Sequence, residues 1–345
     1  MLGMRRILVT GGAGYIGSHT SLVLLQAGYD VVVIDNLRNS SAESLLRVQQ
    51  LIKKPLTFIE GDVRDSTLLR KIFKDYKTDA VLHFAGLKAV GESVRHPIDY
   101  YSTNVAGTLS LCNAMSSVGI YTVVFSSSCT VYGNPVKVPI TEDHPTGEPT
   151  SPYGRSKQMA ERVLSDLAAS DARWRVALLR YFNPIGAHES GLIGEAPNGI
   201  PNNLLPYITQ VAVGRLNQLR VFGNDYPTQD GTGVRDYVHV MDLAAGHLAA
   251  LSSLKIKSGL SVWNLGTGVG YSVLQIVRAF EAASKRRVAF EFMPRRPGDV
   301  AETYADPSKA KRELGWSAKR GLDDMMRDAW RWQSRNPRGF VSQGG

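Results

Sequence analysis

Three glycines set the frame for this chain. In Thr10-Gly11-Gly12-Ala13-Gly14-Tyr15-Ile16-Gly17 they recur at positions 11, 14 and 17, directly after the short apolar run Arg6 to Thr10. Tyr15 to Ala27 then carries apolar residues at helical spacing and stops at Gly28. A strand, a glycine turn and a helix in this order make a phosphate-binding device. One glycine permits the tight turn, another lets the backbone approach a pyrophosphate, and the third lets the helix lie close to the sheet. The ligand phosphates then meet free N–H groups at the positive end of the helix. The next strand, Asp30 to Asp35, ends in a carboxylate. Such a group accepts hydrogen bonds from ribose hydroxyls and repels a 2′-phosphate, which favours NAD over NADP; Arg38 pulls slightly the other way. Gly266-Thr267-Gly268-Val269-Gly270 also follows a strand but has no acidic follow-up, and it reads as a structural turn.

Further strands are expected at Thr57 to Glu60, Ala80 to Phe84, Thr122 to Ser126, Val176 to Arg180 and Val262 to Leu265. Helices are expected at Ile98 to Met115 and Tyr153 to Ala169. This alternation predicts an α/β fold: a Rossmann-type, doubly wound parallel sheet with a smaller α/β substrate-binding lobe. The pattern loosens after Arg180. Asn183 to Asn203 and Gly223 to Gly233 are rich in loop-forming residues, and loops of that length tend to be functional. The expected division puts residues 1–182, with about 236–266, in an NAD-binding domain. Residues 183–235 and 267–345 form the second.

Composition narrows the function classes. The formal charge of +9 comes from scattered residues, with local clusters only near Lys309 to Arg312 and Lys285 to Arg287. No basic stripe with interleaved aromatics is present, which argues against nucleic-acid binding and leaves an anionic small molecule as the partner. No apolar run suits a signal peptide's core or a membrane span. Two cysteines, Cys112 and Cys129, imply no disulfide framework and suit a reducing cytoplasm. The seven histidines show no metal-ligand pairing, so no metal is expected.

Of 14 tyrosines, only Tyr153 has a lysine four residues on, Lys157. On a helix the two share a face. A free phenol has a pKa of about 10, too high for a base at neutral pH. A nearby ammonium and a nicotinamide cation both lower it toward the working range. Ser126, Ser127 and Ser128 end a strand on the edge where ligands bind in such sheets. Ser126 and Ser127 are expected to be polar caps. Ser128 is the candidate to share a hydrogen bond with a substrate hydroxyl, with help from Thr130.

These elements together resemble the extended short-chain dehydrogenase/reductase family. The resemblance narrows with His83 to Ser93, Leu179 to Pro184, Gly199 to Leu204, Phe222 to Thr228, Gly231 to Tyr237 and Arg295 to Asp299, which are similar to the UDP-glucose 4-epimerase branch. It spans about Arg6 to Trp332. It implies that Gly11, Gly14, Tyr15, Ile16, Gly17 and Asp35 meet NAD, with Asn36, Asn39 and Ser40 adding ribose or phosphate contacts. Asp62 and Val63 would contact adenine. Phe84, Ala85, Gly86 and Lys88 would line the cofactor, Lys88 near its phosphates, and Phe182 would lie by the nicotinamide. Asn183, Asn203, Leu204, Phe222, Arg235, Arg296 and Asp299 would hold UDP, and Lys88, Ser128, Thr130 and Tyr153 would face the substrate. The implied reaction interconverts UDP-glucose and UDP-galactose through a transient 4-keto sugar. A homodimer is expected, built on the two long helices. Thr303 stands where some relatives carry a bulky aromatic, so N-acetylated UDP-sugars are expected to fit. A related 4,6-dehydratase would need an acidic pair where Cys129-Thr130 stand before Val131-Tyr132-Gly133. A non-catalytic NAD sensor would have no use for Tyr153, Lys157 and Ser128.

Overall fold

The structure is a computed structural model that describes residues 5–296 and 298–340. Met1 to Met4, expected to be an extended start with no role, lie outside the described residues, as does Pro297 of the Arg295 to Asp299 motif.

The first half alternates as expected: β1 (Arg6–Thr10), α1 (Tyr15–Gln26), β2 (Asp30–Asp35), α2 (Glu43–Ile52), β3 (Thr57–Glu60), α3 (Ser66–Tyr76) and β4 (Ala80–His83). Then come α4 (Val90–Arg95), α5 (Pro97–Tyr100), a π-helical turn (Tyr101–Ala106), α6 (Gly107–Ser117), β5 (Thr122–Ser128), a 3-10 turn (Cys129–Tyr132), α7 (Pro152–Ser170) and β6 (Arg175–Tyr181). The second half holds β7 (Asn183–Ile185), α8 (Leu204–Ala212), β8 (Leu219–Phe222), β9 (Val234–His239), α9 (Val240–Ser253) and β10 (Gly259–Leu265). It ends with β11 (Gly270–Ser272), α10 (Val273–Ser284), β12 (Phe290–Met293), β13 (Glu302–Thr303), α11 (Ser308–Leu314) and α12 (Leu322–Arg335).

Seven strands form one parallel sheet in the order β10-β6-β5-β4-β1-β2-β3. The order reverses beside β1, and ligands in such sheets bind at that switch point. Core residues on both faces cover it: Ile7, Val9, Val31 and Val33 pack on one side, and Leu8, Val32, Ile34 and Val81 on the other. That explains why these strands read as continuous apolar runs. A smaller sheet joins β11, β9 and β13, with β7 against β9, and β12 pairs β8. The chain re-enters the main layers with α9, which packs on α1, and with β10. Among the described residues no helix is long and apolar enough to cross a membrane.

Two glycines show why the turn after β1 admits nothing larger. A Cβ at Gly17 would lie 2.4 Å from the Gly11 carbonyl oxygen, so α1 could not approach its strand. Gly11 has φ +69, and a side chain there would meet the backbone of Ala85 at 2.6 Å.

Three local expectations change. The single helix expected over Ile98 to Met115 is broken into α5, the π turn and α6. The π turn directs Asn104 at its neighbours: its Oδ1 accepts from Leu87 N at 2.8 Å, and its Nδ2 donates to Leu87 O at 3.0 Å and Ser156 Oγ at 2.8 Å. The loop expected over Asn183 to Asn203 opens with a strand, β7, because Asn183, Pro184 and Ile185 pair with Tyr237, Val238 and His239. β5 runs on to Ser128, so Ser126 and Ser127 are interior strand residues rather than caps.

Candidate active site

The glycine turn leaves the start of α1 bare. Gly14 is its N-cap, with no side-chain cap, and the first turn carries no acidic residue. The orphan N–H groups and the helix dipole therefore favour an anion at this point. They face a cleft of about 330 Å³ that runs along the carboxyl ends of the main sheet. Every expected cofactor residue lines it: Gly11, Gly14, Tyr15, Ile16, Gly17, Asp35, Asn36, Asn39, Ser40, Asp62, Val63, Phe84, Ala85, Gly86, Lys88, Tyr153, Lys157 and Phe182. Asp35 closes the turn itself. Its carboxylate accepts from Ala13 N at 3.0 Å, Leu37 N at 2.9 Å and Ser40 Oγ at 2.8 Å. With about four lone-pair sites on a carboxylate, one position remains for a ribose hydroxyl. Asp62 accepts from Asn36 Nδ2 at 3.0 Å, and hydrogen bonds from Arg64 hold its carboxyl well below the usual range. Arg38, in the same cleft, is paired with Asp99 at 2.8 Å.

The catalytic candidates meet across α7 and β5. Ser151 caps α7 by accepting from Gly154 N at 3.2 Å, and Pro152 starts the helix, so Tyr153 and Lys157 sit in its first two turns. The Ser128 hydroxyl lies beside the Tyr153 phenol and acts to lower its pKa. Ser128 Oγ also accepts from Thr130 Oγ1 at 3.0 Å and Thr130 N at 3.3 Å, which leaves its own proton for the phenol or a substrate hydroxyl. Thr130 thus orients Ser128. The Lys157 ammonium differs from expectation. It donates to Ser126 O at 2.8 Å and lies 4.9 Å from the centre of the Phe125 ring. Nor is the phenol pKa lowered. Burial pushes Tyr153 up to about 12, and the neighbouring Ser128 hydroxyl offsets only part of that. Burial also brings Lys157 down to about 8, against the pull of Glu161.

Behind this pair lies a buried network that the sequence reading missed. Arg180 grips Glu161 with two hydrogen bonds, at 2.7 and 3.0 Å, and Ser127 Oγ donates to Glu161 Oε1 at 2.5 Å. Arg180 also donates to the Tyr132 hydroxyl at 3.0 Å, which donates on to Asn264 at 2.7 Å. Glu161 carries a readable signal, since it falls four residues after Lys157 on the same helix face. A second chain runs from the glycine turn. Thr108 donates to Asn104 O at 2.6 Å, so it accepts from His83 Nε2 at 3.1 Å. That tautomer leaves His83 Nδ1 to accept from Thr10 Oγ1 at 2.7 Å. Burial holds His83 near a pKa of about 3, in the neutral form this chain requires.

Of the expected substrate residues, Asn183, Asn203, Ser128, Thr130, Tyr153 and Lys88 line the same cleft. Leu204, Phe222, Arg235, Arg296 and Asp299 do not. Leu204 opens α8 next to Asn203, and the other four gather on the smaller lobe. Arg296 stacks on Phe222 at 4.5 Å and pairs with Asp299 at 3.2 Å, and Arg235 reaches Asp299 at 3.8 Å. The two groups adjoin, since Asn183 Nδ2 donates to Asp236 O at 2.9 Å, next to Arg235. Two guanidinium groups with one carboxylate between them suit a diphosphate. The second glycine cluster is a structural turn, wrapped on the Asp236 carboxylate through Thr267 N at 2.8 Å and Gly268 N at 3.0 Å.

Lys157 leads to a prediction about pH. Its folded pKa of about 8 lies below the ordinary 10.5. Between those values the unfolded chain keeps a proton that the folded chain releases, so cofactor-free protein gains stability as pH rises through this window. The gain is of the order of 3 kcal/mol. Urea unfolding from pH 7.5 to 10.5, compared with Lys157→Met, should show a rise that the variant lacks. Parallel curves would show that Lys157 is not desolvated.

A family model described as GDP-mannose 4,6 dehydratase matches residues 8–329. The chain is 60% identical to a UDP-glucose 4-epimerase of Bacillus subtilis, over 97% of this chain and 99% of that one. Among solved structures, UDP-glucose 4-epimerase of Bifidobacterium longum in complex with NAD+ and UDP is 53% identical. It superposes with a TM-score of 0.95 and covers 97% of this chain and 99% of its own. The UDP-Glc/GlcNAc 4-epimerase of Campylobacter jejuni is 34% identical, with a TM-score of 0.83 over 96% and 99% of the two chains. The chain belongs to the UDP-glucose 4-epimerase family, within the extended short-chain dehydrogenases/reductases.

Proposed function

We propose that this protein interconverts UDP-glucose and UDP-galactose, with Tyr153 as the proton-handling group at C4 of the sugar. One observation carries the assignment of roles. Tyr153, Ser128 and Lys157 line the same cleft as the bare N-terminus of α1, so a proton acceptor and an anion receptor share one space. When bound, NAD supplies a hydride acceptor and a positive charge beside the phenol. The glycine turn would take its pyrophosphate and Asp35 a ribose hydroxyl. Phe84 and Phe182 would flank it, and Asp62 and Val63 would meet the adenine.

Tyr153 removes the proton of the C4 hydroxyl and later returns it, while Ser128 donates to the sugar oxygen. A 4-keto sugar forms transiently, turns over, and is reduced on its other face. Arg235, Arg296, Asp299, Asn183 and Asn203 hold the UDP half through both steps, so the nucleotide stays fixed while the sugar rotates. The reaction consumes no cofactor, because the hydride taken is the hydride returned. Cys129 and Thr130 stand where dehydration would need a carboxylic acid, which separates this reading from a 4,6-dehydratase. We also assign residues 183–235 and 267–345 to the nucleotide-sugar lobe and the main sheet to NAD.

Purified protein given UDP-galactose should yield UDP-glucose. Tyr153→Phe should lower kcat by about 10² to 10⁴, the usual contribution of a positioned acid–base group. A variant at full speed would remove Tyr153 from the mechanism.

Thr303 bears on sugar choice. It is buried on β13, paired with Arg235 of β9. A small side chain beside the diphosphate-binding arginine leaves room for an N-acetyl group, so UDP-GalNAc should be turned over and Thr303→Tyr should abolish that while sparing UDP-galactose. No turnover of UDP-GalNAc by the parent protein would end this reading.

The expected dimer has a surface to form on. Ile98 is 80% exposed and Val94 63%, and Leu109 and Met159 add exposed apolar area on α6 and α7. Light scattering should give twice the mass of one chain, and Ile98→Glu should reduce it to one; a parent protein of single mass would exclude the pairing. The free thiols of Cys112 and Cys129 suit a reducing cytoplasm.

A further inference from the structure

Glu195 lies outside both residue sets described above, yet it touches each of them. Its side chain is 9% exposed, and one oxygen, Oε1, accepts from Lys88 Nζ at 2.7 Å and from Asn203 Nδ2 at 2.9 Å. Lys88 belongs to the connection after β4, on the cofactor side, and Asn203 stands at the entrance to α8, on the nucleotide-sugar side.

The carboxylate is held from behind. Glu195 O accepts from Trp332 Nε1 at 3.1 Å. Gly194 lies so flat on the Trp332 ring that a Cβ would come within 2.3 Å of it. Neither the backbone nor the carboxylate is therefore free to drift. Asn203 shows the effect. As the N-cap of α8 it would ordinarily turn its side chain onto the helix's free N–H groups, but it makes no such bond. Its amide is committed to Glu195 instead, which leaves the helix entrance open to a ligand acceptor. Lys88 is likewise drawn to the mouth of the cleft, with its ammonium 6.0 Å from the centre of the Tyr15 ring.

We propose that Glu195 is a positioning residue that ties the cofactor side of the cleft to the nucleotide side. Its single oxygen sets the Lys88 ammonium and the Asn203 amide together, in the geometry that receives the nucleotide diphosphate. This rests on the reading that the cleft holds NAD and a UDP-sugar.

Charge alone makes the opposite prediction. A carboxylate in a cleft that takes two pyrophosphates repels them, so a mere counter-ion could be removed with a gain in affinity. Three variants separate the two roles. E195Q keeps the reach of the acceptor oxygen and loses the charge. E195D keeps the charge, but its side chain is one methylene shorter and cannot span both donors. E195A loses both.

The measurement is calorimetric titration of UDP into NAD-loaded protein, with KM and kcat for UDP-galactose alongside. E195D and E195A should weaken UDP binding about tenfold, in line with the loss of one to two hydrogen bonds that place Lys88 and Asn203. KM should rise in step, while kcat stays within about twofold because the groups at C4 are untouched. E195Q should stay within about threefold of the parent. The reverse order, with E195D near the parent or E195A tighter than the parent, overturns the proposal. So does equal UDP affinity in all four proteins. A parent protein that binds neither NAD nor UDP overturns the cleft assignment itself, a result distinct from any ordering among the variants.

Discussion

The Arg180–Glu161 pair, wholly inside the protein, governs the geometry of everything the cleft can do. Its two side chains are 7% and 6% exposed, and two charges cost several kcal/mol to desolvate unless their hydrogen bonds are well made. Here they are. Arg180 comes from β6, Glu161 from α7, and Ser127 of β5 donates to the same carboxylate. Three elements are therefore locked at one point. Tyr153 and Lys157 project from α7, and Ser128 and the Ser126 carbonyl from β5. Their mutual placement rests on this pair together with the direct bond from Lys157 Nζ to Ser126 O at 2.8 Å. Losing one partner would leave a buried charge and cost about 3–5 kcal/mol.

The two sides of the proposed site differ in chemistry. The main sheet offers backbone N–H groups and a carboxylate, which suit a pyrophosphate with a ribose beside it. The smaller lobe offers guanidinium groups with an aromatic face. Asp236 gathers the segments around β9, since its carboxylate also accepts from Ala305 N at 3.1 Å, besides the turn at Thr267 and Gly268. Burial pushes that carboxyl pKa upward, which four donated hydrogen bonds restrain. On the proposed function, the reaction centre would lie between these two sets of groups and be held by few of its own, as a sugar that must present both faces requires.

Much of this was legible from residues close together in the chain. The glycine turn, the acidic end of β2 and the Tyr153–Lys157 spacing are local patterns, and local patterns translate directly into turns and helix faces. The site's electrostatics were not legible. Lys157 and a nicotinamide cation together read as the groups that lower the phenol pKa; the chain by itself adds a strong opposing burial effect and binds the Lys157 ammonium to a carbonyl on another element. Arg180 and Glu195 went unread for the same reason: each takes its meaning from partners distant in sequence. The π turn at Tyr101–Ala106 was hidden inside an ordinary helical periodicity, which shifts by only one residue there. The Arg235 and Arg296 roles came from resemblance, since a lone arginine reads equally well as a surface ion pair.

Trp332 ties the loop after β7 to the last helix. Its ring underlies Gly194 and its indole N–H holds Glu195 O, a contact 137 residues apart in sequence. Arg47 and Asn336, hydrogen-bonded at 2.6 Å, reach even further, across 289 residues. A nascent polypeptide leaving the ribosome can bring Lys88 and Asn203 to Glu195 early, but the loop at 194–195 gains its backing only when α12 emerges. The nucleotide side is thus completed by a helix made well after the main sheet's first six strands, through contacts of long sequence separation.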